Sequence, residues 1–129
     1  MNQPLPEWEW LRAIAETEVA QTIKALPAQI RQEANAIPIL FETVPSPDLV
    51  ADGLEPDVLG LFVGGDHNTE LDDPLPPQII LYLENLWLMI SDEGGGEAEY
   101  RFEVRTTLLH ELGHYLGLDE EDLTDRGLE

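Results

Sequence analysis

Apolar residues near the N-terminus recur at intervals of three and four, which is the spacing of one face of an α-helix. This pattern predicts a first helix over residues 5–25. Pro27 interrupts the pattern, and residues 27–35 predict a second short helix with proline in its first turn. The positions that form the inward face of the first helix are Trp8, Leu11, Ile14, Ala15, Val19, Thr22, Ile23 and Leu26.

The middle of the chain alternates short apolar runs with polar segments rich in proline and glycine. Such runs predict strands, and the polar segments between them predict surface loops. The third run is followed by "LWLMIS", which predicts a short helix directly after the strand. The predicted strands are residues 37–44, 58–65 and 78–86, and the predicted loops are residues 45–57 and 66–77.

The longest predicted helix runs from about Glu97 to Gly117, after a turn that contains three consecutive glycines. The order of elements is therefore two helices, three strands, a short helix and a long helix. This order predicts an α+β fold in which a small sheet packs on helices. The chain has 129 residues, which predicts a single domain over residues 1–129.

The long helix carries the segment "LLHELGHYLGLDEED", residues 108–122, which contains two of the three histidines. On a helical wheel His114 lies about 40° from His110, and Glu111 lies about 100° from it. Residues four apart have Cβ atoms about 5–6 Å apart, so both imidazoles can reach one ion. Glu111 is offset from the two ligands and can contact a metal-bound water, as in the H-E-x-x-H motif of metalloproteases.

The same wheel places an apolar face opposite the histidines, centred about 200° from His110. We therefore expect the helix to bury one side and to present both imidazoles on the other. The alternative is a solvated acidic helix with two incidental histidines. The residues of the predicted buried face are Phe102, Leu108, Leu109, Leu112 and Leu116.

A third metal ligand is predicted just after the long helix. Gly117 follows His114 by three residues, where helices commonly end in a left-handed glycine that reverses the chain. Catalytic zinc sites often use two histidines and one carboxylate, with water in the fourth position. The spacing favours Glu120, and Asp119 and Glu121 remain alternatives.

The composition limits the partners that we expect. Six basic residues face 27 acidic ones, and the net charge is −21. This charge disfavours nucleic acid and anionic membranes, and it favours cations and basic or neutral polypeptides. The chain has no cysteine, so a metal site must use His, Asp and Glu. The N-terminal sequence has no features of a secretory signal and no apolar run is long enough to span a membrane, so we expect a cytoplasmic protein.

The motif "HELGHYLGLDEED" resembles that of the small bacterial zincin-like metallopeptidases, in which H-E-x-x-H-x-x-G precedes an acidic ligand. Upstream stretches such as "LGLFVGG" and "PQIILYLENL" resemble the order of elements in that family. The resemblance implies a minimal zincin fold, with a small mixed three-stranded sheet and an active-site helix near the C-terminus. It further implies that His110, His114 and Glu120 bind Zn2+ and that Glu111 is the general base of a peptide hydrolase.

Some features separate the chain from the better-known zincins. Metzincins have a histidine at the position of Glu120 and a methionine turn beneath the metal, whereas the only methionines here are Met1 and Met89. Only 15 residues follow His114 in this sequence, so we do not expect the downstream helix that supplies the third ligand in gluzincins.

We consider three functions for a protein with this sequence. The first is a zinc-dependent peptidase that acts on a peptide or protein substrate, with basic side chains favoured by the acidic protein. The second is a metal-dependent hydrolase of another class, such as a compact zinc endoribonuclease. The negative charge and the presence of Glu111 argue against an endoribonuclease. The third is a non-catalytic metal-binding or regulatory protein that retains the zincin site. His67 could serve as a substrate contact or an extra ligand, and a surface loop histidine is the preferred interpretation.

The substrate of a peptidase of this kind would pair in extended form with an exposed strand edge. The second predicted strand, "LGLFVGG", is the candidate edge. Its glycines permit another backbone to approach closely.

Overall fold

The computed structural model describes residues 5–64 and 77–116. This part of the chain forms five helices and one three-stranded sheet, which confirms the predicted α+β fold with a small mixed sheet packed on helices. The elements in chain order are α1 Trp8–Lys24, α2 Ala28–Asn35, β1 Ile39–Glu42, α3 Pro47–Ala51, β2 Gly60–Val63, β3 Gln78–Tyr82, α4 Leu83–Asp92 and α5 Glu97–Tyr115.

The first two helices form where the apolar spacing predicts them. Leu11, Ile14, Ala15 and Val19 of α1 are buried, at the intervals of three and four that place them on one face. The second helix follows after a short turn, and Pro27 precedes it as the N-cap residue. Proline suits this position because its fixed φ leads into the helix and no N–H is lost from the helical ladder.

The sheet has the strand order β1-β3-β2, with β3 in the middle. Strand β1 runs parallel to β3, with Ile39 opposite Ile79, and β2 runs antiparallel to β3, with Phe62 opposite Ile79. Ile79 and Leu81 are fully buried and belong to the hydrophobic core between the sheet and the helices. The strand "GLFV" is therefore an edge strand, as the sequence predicts.

Helix α3 lies within the segment predicted to be a loop. Ser46 caps it, because the Ser46 hydroxyl accepts a hydrogen bond of 3.3 Å from the Leu49 backbone N–H. Pro47 occupies the first turn, where proline is favoured. At five residues the helix is too short to show an apolar period, so the sequence pattern does not predict it.

The third strand is shorter than predicted, since it ends at Tyr82 and α4 begins at Leu83. The Asn85 side chain secures this change of direction by donating to the carbonyls of Pro56 and Val58 at 2.9 and 2.8 Å. The apolar run continues through both elements, but its buried members in the helix are spaced by three, one and three. Those residues are Leu83, Leu86, Trp87 and Ile90.

Helix α5 packs against α1, α4, β2 and β3. Leu108, Leu109 and Leu112 are buried, as predicted. The prediction for Phe102 is wrong, because its side chain is 60% exposed. Phe102 lies two residues before the fully buried Val104, about 200° around the helix. None of the helices in residues 5–64 and 77–116 is long and apolar enough to cross a bilayer.

A buried tyrosine connects the two longest helices. The Tyr100 hydroxyl of α5 donates a hydrogen bond of 2.9 Å to the Leu11 carbonyl of α1, and both residues are buried. The Tyr100 ring also packs against Trp10 and Trp87, with centroid separations of 6.2 and 5.8 Å. Burial raises the pKa of the Tyr100 hydroxyl, so it stays protonated and remains a donor.

The Tyr100→Phe substitution should lower the free energy of unfolding by about 1 kcal/mol, the net contribution of a typical protein hydrogen bond. The aromatic packing is retained, so the urea m-value should not change. Urea unfolding followed by tryptophan fluorescence measures the difference. Tyr100→Leu is the comparison that also removes the ring, and it should lower the free energy of unfolding by more than Tyr100→Phe does. Equal stability of Tyr100→Phe and the wild type would show that the bond contributes nothing.

Candidate metal centre

Helix α5 brings together the three residues of the predicted motif. It is capped at its N-terminus by Glu99, whose carboxylate accepts a hydrogen bond of 3.2 Å from the Gly96 backbone N–H. Its buried side holds the helix in the core, and the other side presents His110 and His114 to solvent. Glu111 lies between these two sides and is half-buried. The solvated-helix alternative predicts no convergence of these residues.

The two imidazoles converge on one point. Nε2 of His110 and Nε2 of His114 are 3.1 Å apart, and the ring planes are nearly perpendicular at 89°. Two nitrogens bound to one tetrahedral zinc ion at about 2.0–2.1 Å are separated by about 3.3 Å. The observed separation therefore fits a shared zinc ion. The same distance also allows a hydrogen bond in which one ring donates to the other.

Glu111 completes a compact group of metal-ligating side chains. One ligand atom each from His110, Glu111 and His114 lie within 4.8 Å of one another. Burial raises the pKa of the Glu111 carboxyl, while both histidines and a backbone hydrogen bond from Phe62 act in the opposite direction. A carboxylate with a raised pKa accepts a proton more readily than an exposed one. The position and the pKa of Glu111 suit a general base next to a metal.

Strand β2 forms the wall of the site next to Glu111. Tyr82 donates its backbone N–H to the Leu59 carbonyl, so Leu59, Leu61 and Val63 are the residues whose backbone groups hydrogen-bond to β3. The backbone groups of Gly60 and Phe62 therefore point away from β3, toward the open edge. A Cβ atom at Gly60 would lie 3.3 Å from the Glu111 Cγ, which shows how closely this edge approaches the base.

The predicted third ligand lies outside the described residues. This applies to Glu120 and to its alternatives Asp119 and Glu121, and also to His67. The assignment of Glu120 as a ligand remains a prediction. The structure places His110, Glu111 and His114 together as the motif requires.

Two tyrosines near the sheet, Tyr115 and Tyr82, are buried. Tyr115 is buried and its ring packs edge-on against Phe62, with centroids 5.9 Å apart. Tyr82 is fully buried on the face of β3 opposite to Leu81. Burial and the nearby Glu42 carboxylate raise the pKa of the Tyr82 hydroxyl.

The contact that the sequence did not reveal joins Gly60 to α5. The predicted reason for glycine in this strand was approach by a substrate backbone, whereas the neighbours of Gly60 in the structure are Thr107 and Glu111. A glycine within a strand is a signal of close approach by another group. The sequence alone does not identify that group as the helix that carries the motif.

The comparisons with known proteins agree with this geometry. A family model described as zincin-like metallopeptidase matches residues 34–128, which include the whole sheet and the histidine pair. The chain belongs to this family. Membership implies a metal ion, usually zinc, and His110, Glu111 and His114 of this zincin-like protein form a group that could hold one. No curated protein matches the chain.

Proposed function

We propose that this zincin-like protein is a zinc-dependent peptidase. The observation that carries the proposal is the convergence of the His110 and His114 Nε2 atoms at 3.1 Å, with the half-buried Glu111 carboxylate in the same group of ligand atoms. His110, His114 and one carboxylate among Asp119, Glu120 and Glu121 would hold the ion. Glu120 is the proposed third ligand, because it has the expected spacing.

A bound zinc ion and Glu111 would each supply part of the hydrolytic chemistry. A zinc ion bound here would polarise the substrate carbonyl and lower the pKa of its water ligand to about 7. Glu111 accepts the proton of the attacking water. It then delivers this proton to the leaving amine as the peptide bond breaks. A single residue thus serves as base and acid, and its partial burial keeps the carboxylate beside the reacting atoms.

The proposed substrate is a basic or neutral peptide that binds along the edge of β2. Support for the edge comes from the outward-facing N–H and carbonyl of Gly60 and the outward-facing carbonyl of Phe62, with which an extended chain can pair. Support for basic side chains comes from the net charge of −21, which attracts cationic peptides and repels acidic ones.

A mixed peptide library tests this function. Protein with measured zinc content should cleave the library, a chelator should abolish cleavage, and added Zn2+ should restore it. Mass spectrometry of the products should show basic or neutral residues around the cleaved bond. This preference should weaken when the ionic strength is raised, because salt screens exposed charges. Zinc binding without cleavage of any peptide would instead support the alternative of a non-catalytic metal-binding protein.

A further inference from the structure

We propose that Gly60 is a positioning residue for the general base. Because it has no side chain, α5 lies directly against β2, and the Glu111 carboxylate is held beside the outward-facing backbone N–H of Phe62. The proposal rests on the proposed role of Glu111 in hydrolysis. It assigns to the edge strand a second task, which is to orient the base.

The surroundings of Gly60 leave no space for a side chain. A Cβ atom there would lie 2.8 Å from the Thr107 Cγ2, 3.3 Å from the Glu111 Cγ and 3.3 Å from the Ile80 carbonyl oxygen. Carbon atoms in ordinary contact are about 3.5–4.0 Å apart. Thr107 is buried and β-branched, so its methyl group cannot turn away without strain. Any larger residue at position 60 must therefore push α5 and β2 apart.

The strand and the helix match each other in spacing. Thr107, Glu111 and Tyr115 follow one another at intervals of four on α5, with a rise of about 6 Å per interval. Gly60 and Phe62 are two residues apart on β2, with a rise of about 6.6 Å. Gly60 lies against Thr107 and Glu111, which bound the first interval, and the Phe62 ring packs on Tyr115 at the end of the second. Glu111 is the middle residue of this row and faces the Phe62 backbone, from which it receives a hydrogen bond.

Kinetics of a rescue pair provide the first test. Gly60→Ala should lower kcat at least tenfold, with KM within twofold and zinc content unchanged, because sub-ångström displacement of a reacting group is costly. Thr107→Ser lacks the Cγ2 methyl that the new Cβ would strike. The double variant Gly60→Ala with Thr107→Ser should therefore recover to within about threefold of Thr107→Ser alone.

Gly96→Ala is the matched control for the effect of replacing a glycine. No atom lies within 4 Å of a Cβ at Gly96, and its φ of −135° suits any residue. This variant should keep the wild-type kcat. When Gly60→Ala does not fold, the double variant provides the comparison, since it avoids the closest clash.

Hydrogen exchange provides a readout that needs no activity. The Phe62 amide lies on a strand edge, yet the proposal requires it to be protected by the Glu111 carboxylate. Measured by NMR, its exchange should be at least tenfold faster in Glu111→Ala and in Gly60→Ala than in the wild type. The double variant with Thr107→Ser should regain the protection.

The outcomes separate the two proposals. A wild type that binds zinc, cleaves no peptide and shows a protected Phe62 amide refutes the peptidase function and supports the orientation of Glu111. An active wild type whose Gly60→Ala variant keeps kcat and Phe62 protection refutes the positioning role. A loss of kcat in Gly60→Ala that follows loss of zinc refutes it as well, because the effect would then lie in the metal site.

Discussion

Replacement of Glu111 by glutamine should leave zinc bound and reduce kcat about 10³-fold, within the range of about 10²–10⁴ for general acid–base catalysis. Glutamine has nearly the same shape as glutamate but cannot accept the proton of the attacking water. His110 and His114 are exposed and do not depend on this carboxylate for their position on the helix. Steady-state kinetics on the best library peptide, together with the zinc content of the same samples, measure both effects.

Glu103→Gln is the matched control for the glutamine substitution. Glu103 lies on the same helix, is also partly exposed, and is eight residues before Glu111, about 12 Å along the axis. This variant should keep kcat and zinc. A Glu111→Gln variant with wild-type kcat would remove Glu111 from the mechanism. A variant that loses its zinc would instead identify Glu111 as a ligand, since its carboxylate lies close to both imidazoles.

The histidine pair could be predicted from sequence because its geometry is local. His110, Glu111 and His114 lie on one helix, and the period of 3.6 residues alone fixes which of them share a side. The same rule predicted the burial of Leu108, Leu109 and Leu112 on the opposite side. It failed at Phe102, which lies at the margin of the apolar arc, where the packing of neighbouring elements decides burial.

The C-terminal end of β3 and the contacts of Gly60 could not be predicted, because they depend on tertiary packing. The apolar run "QIILYLENL" is compatible both with a strand and with a buried helix. The change from strand to helix at Leu83 is stabilised by hydrogen bonds from Asn85 to a loop that is distant in the sequence. Gly60 and Thr107 are far apart in sequence, and no local period connects them. The sequence indicated a close approach at this glycine without indicating its partner.

Removal of either imidazole should abolish zinc binding over the zinc concentrations of the titration, while the fold persists. His110→Ala and His114→Ala should each weaken zinc affinity by more than about 100-fold. Even the loss of a residue that only hydrogen-bonds to a metal ligand lowers metal affinity by about 10–100-fold. Both side chains are exposed, so neither substitution opens a cavity in the core. Competition with a chromogenic chelator measures the affinity. Added zinc should raise the Tm of the wild type and not that of the variants, because only the wild type binds it.

The same titration decides the third ligand. Glu120→Gln should lower zinc affinity as strongly as either histidine variant, whereas Asp119→Asn and Glu121→Gln should have small effects that arise from charge alone. His67→Ala, which removes the remaining histidine, should bind zinc like the wild type. A large loss in Asp119→Asn or Glu121→Gln instead of Glu120→Gln would move the third ligand to that residue. Full zinc affinity in His110→Ala would show that the pair is not a metal site, and the hydrolytic role of Glu111 would then lose its basis.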